Sequence, residues 1–381
     1  VKILFVQKEG GIFGAENYQL KVIPGLLDEN VVIEFLRLYT NLQGGKGGEF
    51  VDRLTNMGVK VHEINISKYP TPWVLAKIHR VAKAGSYDLI HTHLIHADFY
   101  LALAKLLFQG KYTLVSTKHG YDNAFTSKYG FDASKQTKTP YFLISKWSEK
   151  RMRASFTISK GLRDFFVKTK LSTSDKMELI HYGFDMANHF ETKGLSQFRL
   201  AKKQLIIVGR LVAFKGHQFL IDAMELVKKE YSSEVKLLIA GTGDLEDELK
   251  RKVCNLRLKD QISFLGYSEN VGEYMANSDI VVVPSVSEGF GVVFLEAFAA
   301  KTPVVSWDVP AGNELMKHAE SGYHVEPYDI RKLANQLISI FENPEVQTRI
   351  AENAYSNLME YYNLNRMVTE TIAFYERSRR I

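Results

Sequence analysis

Glu288 and Glu296 stand in the stretch SEGFGVVFLEAFAAKTPVV (287 to 305), with seven residues between them, across the glycine-flanked Phe290 and an apolar run. Carboxylates so placed suit neutral polyol hydroxyls. The glycines on either side, Gly289 and Gly291, let backbone N–H groups at a helix start approach a phosphate. The same spacing also fits a solvated loop glutamate followed by a solvent-facing helix glutamate, and spacing alone does not choose. Arg210 and Lys215, in GRLVAFKG (209 to 216), form a second group. A forked guanidinium and an ammonium suit a diphosphate, and they suit the charge that grows on a diphosphate as it departs. A third segment, GTGDLEDEL (241 to 249), brings Gly241 and Gly243, and a fourth is PAGNELMKHAESG (310 to 322). GTG is weak evidence by itself. The dinucleotide fingerprint G-x-G-x-x-G is absent, because Glu246 stands where the third glycine would be.

The elements that must position these residues alternate between short β-branched runs and helical patterns, as parallel sheets covered by helices require. Strands are expected at 2–6, 32–39, 59–64, 87–93, 113–118, 156–159 and 178–181, which make one doubly wound domain. After the polar stretch NHFETKGLSQFRLAKKQ (188 to 204) the pattern restarts at 205–209, 235–241, 262–266, 279–284 and 303–307, which make a second. Residues 217–229 place Phe219, Leu220, Ala223, Met224 and Val227 at helical spacing, as a sheet-facing core helix would. The four chemistry-bearing segments each follow a strand of the second domain. They therefore gather at the carboxyl edge of one sheet, where open α/β sheets bind ligands.

Composition limits the classes that remain. The 381 residues are 45% hydrophobic and 24% charged, ordinary for about two globular domains with cores of their own. One cysteine, Cys254, rules out an internal disulfide framework and argues against structural zinc. VKILFVQ shows no basic leader, and no run of about 18 apolar residues occurs, so the expectation is a cytoplasmic protein whose membrane contact, if any, is peripheral. The net charge of +6 favours anionic partners. Nucleic acid is disfavoured, because the cations are spread along the chain without an aromatic-basic recognition motif. His91, His93, His96 and His119 invite a zinc reading, but third-ligand spacing is missing, and no metal is expected. His119, at a strand end beside Gly120, reads as a cleft residue or as a satisfied structural histidine.

GRLVAFKG, IAGTGDLEDEL, VVVPSVSEGFGVVFLEAFAAKTPVV and PAGNEL...SGYHV occur in the order and spacing of glycosyltransferase family 4, and the chain resembles that family over nearly its whole length. In the first half, GGIFGAENYQL (10 to 20), with Gly11 and Gly14, is similar to the family's glycine-rich first loop. DLIHTHLIHADF and STKHGYD (116 to 122) are similar to its second ligand-edge segment and its histidine-bearing loop. GGIFGAE is longer than the usual glycine pair before alanine and glutamate, and His181-Tyr182 stand where an asparagine before the glycine is more usual.

The resemblance implies a GT-B fold of two facing Rossmann-like domains, 1–190 for the acceptor and 191–360 for a nucleotide-sugar donor, with 361–381 helical and crossing back to the first. It implies sugar transfer with retention at the anomeric carbon, in cell-envelope polysaccharide or glycoconjugate synthesis. Glu296 would meet the ribose hydroxyls and Glu288 the donor-sugar hydroxyls. Arg210 and Lys215 would clamp the diphosphate, and His119 would lie near the reacting sugar. FLGYSEN (264 to 270), with Leu265 and Tyr267, would contact the base largely through backbone. The implied front-face displacement needs neither a carboxylate nucleophile nor a cofactor beyond the co-substrate nucleotide sugar. A nucleotide-sugar epimerase and a noncatalytic nucleotide-sugar-binding protein remain open on the same residues.

For the acceptor there is one hint. WVLAKIHRVAKAG (73 to 85) and SKWSEKRMR (145 to 153) are basic segments with tryptophan, of a kind that lies on anionic membrane surfaces, and they fit a lipid-linked saccharide acceptor. Each also fits an ordinary sheet-covering helix with a solvated face.

Overall fold

The computed structural model describes residues 1–8, 11–12, 14–40, 47–66, 70–121, 126–127, 130–131, 139–185 and 196–379. The chain divides into two compact units, one of Val1–Phe125, Phe131–Gly183 and Leu364–Ile381, the other of Thr126–Gly130 and Phe184–Asn363. Gly10, Phe13, Asp122 and residues 188–195 of the polar stretch lie outside the described residues.

The elements run β1 (Lys2–Lys8), α1 (Gly14–Asp28), β2 (Val32–Tyr39), α2 (Glu49–Asn56), β3 (Lys60–Asn65), α3 (Pro72–Ala84), β4 (Leu89–His93), α4 (Leu94–Leu107), β5 (Leu114–Lys118), β6 (Thr126–Ser127), β7 (Gly130–Phe131), α5 (Pro140–Glu149), β8 (Ala154–Thr157), α6 (Lys160–Lys168) and β9 (Met177–Leu179). The second unit continues with β10 (Lys203–Val208), α7 (His217–Glu230), β11 (Val235–Ala240), α8 (Glu246–Asn255), β12 (Ile262–Gly266), α9 (Val271–Ala276), β13 (Ile280–Val283), α10 (Val292–Ala299), β14 (Val304–Trp307), α11 (Pro310–Leu315), β15 (Tyr323–Val325), α12 (Ile330–Glu342) and α13 (Pro344–Tyr361). α14 (Leu364–Arg379) returns to the first unit, where its Val368 lies against Gly25 of α1.

The first sheet has the order β3-β2-β1-β4-β5-β8-β9 and the second β12-β11-β10-β13-β14-β15, with parallel pairing throughout both. Parallel strands covered on both faces bury every position, so β4 and β13 have no exposed residue and read as continuous runs rather than alternations. Helix starts follow local chemistry. Thr71 and Thr139 precede Pro72 and Pro140, and their side chains accept hydrogen bonds from Val74 N (3.4 Å) and Phe142 N (3.1 Å).

Each expected strand is present within one to two residues at either end. β15, three residues at the sheet edge, was not foreseen. The segment 145–153 is helical only to Glu149, after which Lys150–Arg153 turn back toward β8. The helical segment expected from 361 is α14, which starts at Leu364 after a break at Tyr362–Asn363, where Phe184 N donates to Tyr362 O (2.6 Å).

Candidate functional site

In the second sheet the chain reverses direction of travel between β10 and β13, and the loops after both leave the carboxyl edge at that point. The loop after β10 holds the exposed Arg210 and a short 3-10 turn, Ala213–Lys215. The loop after β13 is tied to that turn twice. Val286 N donates to Phe214 O (2.9 Å), and the Lys215 ammonium donates to Glu288 Oε1 (2.6 Å). Both side chains are largely withdrawn from water, at 17% and 10% exposure, yet an ammonium has three donors, so two remain for another anion.

α10 starts at the same place. Gly291 precedes it with φ 90°, a conformation that L side chains rarely adopt, and a Cβ there would stand 2.7 Å from the Phe294 ring. α10 begins at Val292, so only Phe290 and Gly291 separate its first N–H groups from the half-buried Glu288 and Gly289. Glu296 lies one turn inside α10, half-buried and engaged within the protein. Phe290 is turned inward, 6.0 Å from Tyr362 between ring centroids.

Gly241 and Gly243 serve close backbone packing in this arrangement. A Cβ on Gly241 would stand 2.0 Å from the Gly209 carbonyl oxygen and one on Gly243 2.7 Å from Leu211 N, so the loops after β10 and β11 lie directly on each other. Leu265 and Gly266 end β12, and Tyr267 beyond them is 81% exposed. Farther along the same edge, after β14 and β15, a cavity of about 810 Å³ is lined by Asp308, Asn313, His318, His324, Glu326 and Lys332.

In the first unit, His91 and His93 share a face of β4, and His119 follows β5 beside them. His93 Nδ1 and His119 Nε2 are 3.0 Å apart, with the two rings stacked. His91 bonds Tyr375 Oη of α14 and Thr117 Oγ1, each at 2.7 Å. Burial pushes all three imidazoles down, His119 to about 3 and His91 and His93 well below the ordinary range, with the neighbouring histidines adding to the effect on the latter two. These rings are therefore neutral near pH 7. His93 Nε2 and His119 Nδ1 have no hydrogen-bond partner among the described residues, so whichever ring donates across the 3.0 Å contact, one N–H of the pair is left over. Among the described residues no three His, Cys, Asp or Glu converge as a metal site would require.

Gly11 (φ 154°) lies in the loop after β1, and Gly14 opens α1. Glu16, two residues on, is buried and accepts from Gln7, which in turn accepts from Gln19. A polar group that sequence reasoning missed sits in the interior: Lys118 donates to Asp98 (2.5 Å) and Glu149 (2.9 Å), all three at 2% exposure or less. Burial alone would depress the Lys118 ammonium, but the two carboxylates hold it above the ordinary lysine value. Its members come from α4, β5 and α5, and no local pattern joins them.

Each of the two units carries a parallel sheet with ligand-suited loops at its carboxyl edge, and the comparisons with known proteins name the class. The model described as "Glycosyltransferase Family 4" matches residues 14–188, and that described as "Glycosyl transferases group 1" matches residues 191–357. The chain is 30% identical over 261 residues to N-acetylgalactosamine-N,N'-diacetylbacillosaminyl-diphospho-undecaprenol 4-alpha-N-acetylgalactosaminyltransferase of Campylobacter jejuni, covering 68% of this chain and 67% of the relative. It is 26% identical over 326 residues to N-acetyl-alpha-D-glucosaminyl L-malate synthase of Bacillus anthracis, covering 83% and 82%. A crystal structure of Anabaena Alr3699/HepE in complex with UDP superposes with a TM-score of 0.83 at 21% identity, covering 99% of this chain and all of that one. The protein is a glycosyltransferase with two Rossmann-like domains of the GT-B fold. The chain belongs to glycosyltransferase family 4, whose members include enzymes of polysaccharide and glycoconjugate synthesis.

Proposed function

We propose that the chain transfers a sugar, with retention of anomeric configuration, from a nucleoside-diphosphate donor to a hydroxyl of a lipid-linked saccharide, at the cytoplasmic face of a membrane. The observation that carries the donor reading is the Lys215–Glu288 pair, held at 2.6 Å between the two loops at the carboxyl edge and next to the start of α10. Lys215 and Arg210 hold the diphosphate, Glu288 receives hydroxyls of the donor sugar, and Glu296 those of the ribose. The backbone of 264–270 meets the base. The complex of the Anabaena protein with UDP makes uridine diphosphate the first nucleotide to test.

In this reading the bond from the anomeric carbon to the diphosphate oxygen breaks while the acceptor oxygen bonds to the same face of that carbon. The acceptor's proton passes to the departing diphosphate oxygen, and Lys215 with Arg210 stabilises the charge that remains. Two cations replace a resident metal in that task. His119, neutral because it is buried, acts toward a sugar hydroxyl as a hydrogen-bonding group rather than as a charge. The relative from Campylobacter, named for a diphospho-undecaprenol substrate, supports the lipid-linked acceptor.

The test is a panel of nucleotide sugars with lipid-linked saccharides as acceptors, with the product's anomeric configuration read by NMR and the reaction repeated in chelator. Acceptor-dependent release of the nucleoside diphosphate, a product with the donor's configuration and full activity in chelator are expected. An inverted product would end the retention claim, loss in chelator the metal-independent one, and an epimerised donor without transfer the whole reading.

A further inference from the structure

We infer that the α3–α4–α5 layer of the first unit is a docking surface for an anionic lipid bilayer, with a headgroup groove between α3 and the end of α4. This deepens the proposed lipid-linked acceptor, on which its purpose rests, but the surface argument stands on the first unit alone.

The three helices pack side by side, α3 on α4 and α4 on α5. Their outer surface is one-sided in charge. α3 exposes Lys77, Arg80 and Lys83, and the turns after α4 and α5 expose Lys111, Lys150 and Arg153. Residues 72–84, 94–113 and 139–153 contain only two carboxylates, Asp98 and Glu149, and Lys118 holds both in the interior at 0% and 2% exposure. The buried triad therefore removes the only negative charges this layer has. Asp88, which follows α3, is itself held by Arg379 (3.1 Å) and by Lys2 N (2.7 Å).

Amid these cations lie side chains that an ordinary solvated face would not expose. α4 closes with Leu106, Leu107 and Phe108 in succession, 53%, 56% and 39% exposed, and α3 opens with Trp73 at 82%. Phe108 stacks on His79 of α3 (5.2 Å between centroids, 29° between planes). The two rings, with Arg80 and Lys83, line a groove of about 470 Å³ between the helices.

Cations beside an exposed apolar ridge match the interface of a bilayer, where phosphates and acyl chains are adjacent. Arg80 and Lys83 meet headgroup phosphates in the groove, while Leu106, Leu107, Phe108 and Trp73 enter the apolar boundary. A nucleic acid would satisfy the cations but leave three consecutive exposed apolar residues without a role. This surface is wider than the basic segments alone, because the end of α4 contributes the ridge.

The experiment sediments the full chain with vesicles of phosphatidylcholine alone and of phosphatidylcholine and phosphatidylglycerol in equal parts, at low and high salt. Binding is expected to the anionic vesicles only and to weaken with salt. Neutralising Arg80→Gln with Lys83→Gln should weaken it about thirtyfold, from the contribution of each cation near a surface. Leu106→Ser with Leu107→Ser should weaken binding while leaving its salt dependence intact. Both double variants should melt and bind uridine diphosphate as wild type does. Equal sedimentation with neutral and anionic vesicles, or variants that bind as wild type, overturns the inference. So does an RNA oligonucleotide that competes for the same residues more tightly than anionic vesicles. A chain that transfers sugar to a soluble acceptor but ignores vesicles overturns the docking surface alone, and one that sediments but transfers nothing overturns the proposed transfer alone.

Discussion

Lowering the pH from 7.5 to 5.5 should weaken the first unit through His91, His93 and His119. In the folded chain all three are neutral, His119 down to about 3 and the other two well below the ordinary range, because burial disfavours the charged ring. In the unfolded chain they titrate near 6.5. Between those values the unfolded state binds more protons, so stability rises with pH. The stabilisation is complete above the unfolded value and is lost as pH falls toward the folded one. Over this interval each imidazole accounts for about 1.4 kcal/mol and the three for about 4 kcal/mol. Glu34 stays out of the window: against the upward push of burial, His62, Lys2 and Tyr87 hold it down to about 2, and an unfolded carboxyl titrates near 4.3. Hydrogen exchange read by mass spectrometry on peptides from β4 and β5, corrected for the intrinsic exchange rate, should show opening about a thousandfold more frequent at the lower pH. His119→Asn should remove about a third of the free-energy change. Corrected protection that stays level across the interval would refute the neutral, buried stack.

Arg210→Ala and Lys215→Ala should each reduce transfer by about 1.5 to 3 kcal/mol of transition-state stabilisation, the range for hydrogen bonds to charged groups, with melting unchanged; wild-type turnover in both would remove the clamp. Lys118→Ala should destabilise the chain by about 3 to 5 kcal/mol in urea unfolding, since Asp98 and Glu149 would be left buried without their cation. A loss under about 1 kcal/mol would mean the triad is not buried as described. Gly291→Ala should cost about 1 to 2 kcal/mol for the left-handed backbone, more with the Phe294 ring in the way, and should weaken nucleotide diphosphate binding as the start of α10 shifts. An unchanged melting temperature would contradict that backbone constraint.

The sheets were legible because parallel strands buried on both faces read as unbroken apolar runs, as IVVV of β13 does, although LIHTH of β4 buries three polar side chains. β15 was missed for the opposite reason, since its three residues YHV follow a loop and only Val325 is fully buried. The expected boundary at 361 falls beside the break between α13 and α14, but the turn itself depends on Phe184, far away in sequence. At the site, sequence grouped Lys215 with Arg210 and Glu288 with Glu296. The observed pair is Lys215 with Glu288, 73 positions apart, and only the order of the strands brings them together. The alternation of His91 and His93 did signal a shared strand face, but the ring stack with His119 and the bond to Tyr375 needed β5 and α14 in place.

Glu288 gives the most direct test, because in this account it serves the sugar while occupying the ammonium that must hold the diphosphate. Calorimetry should compare uridine diphosphate with the full nucleotide sugar in wild type, Glu288→Ala and Glu296→Ala. Freed from its 2.6 Å partner, Lys215 in Glu288→Ala should bind the diphosphate at least as tightly as wild type, while the additional affinity for the sugar and all transfer are lost. Glu296→Ala should weaken both ligands alike. If Glu288→Ala instead weakened uridine diphosphate as much as the full donor, Glu288 would be a structural partner of Lys215, and the assignment of the sugar to this edge would be wrong.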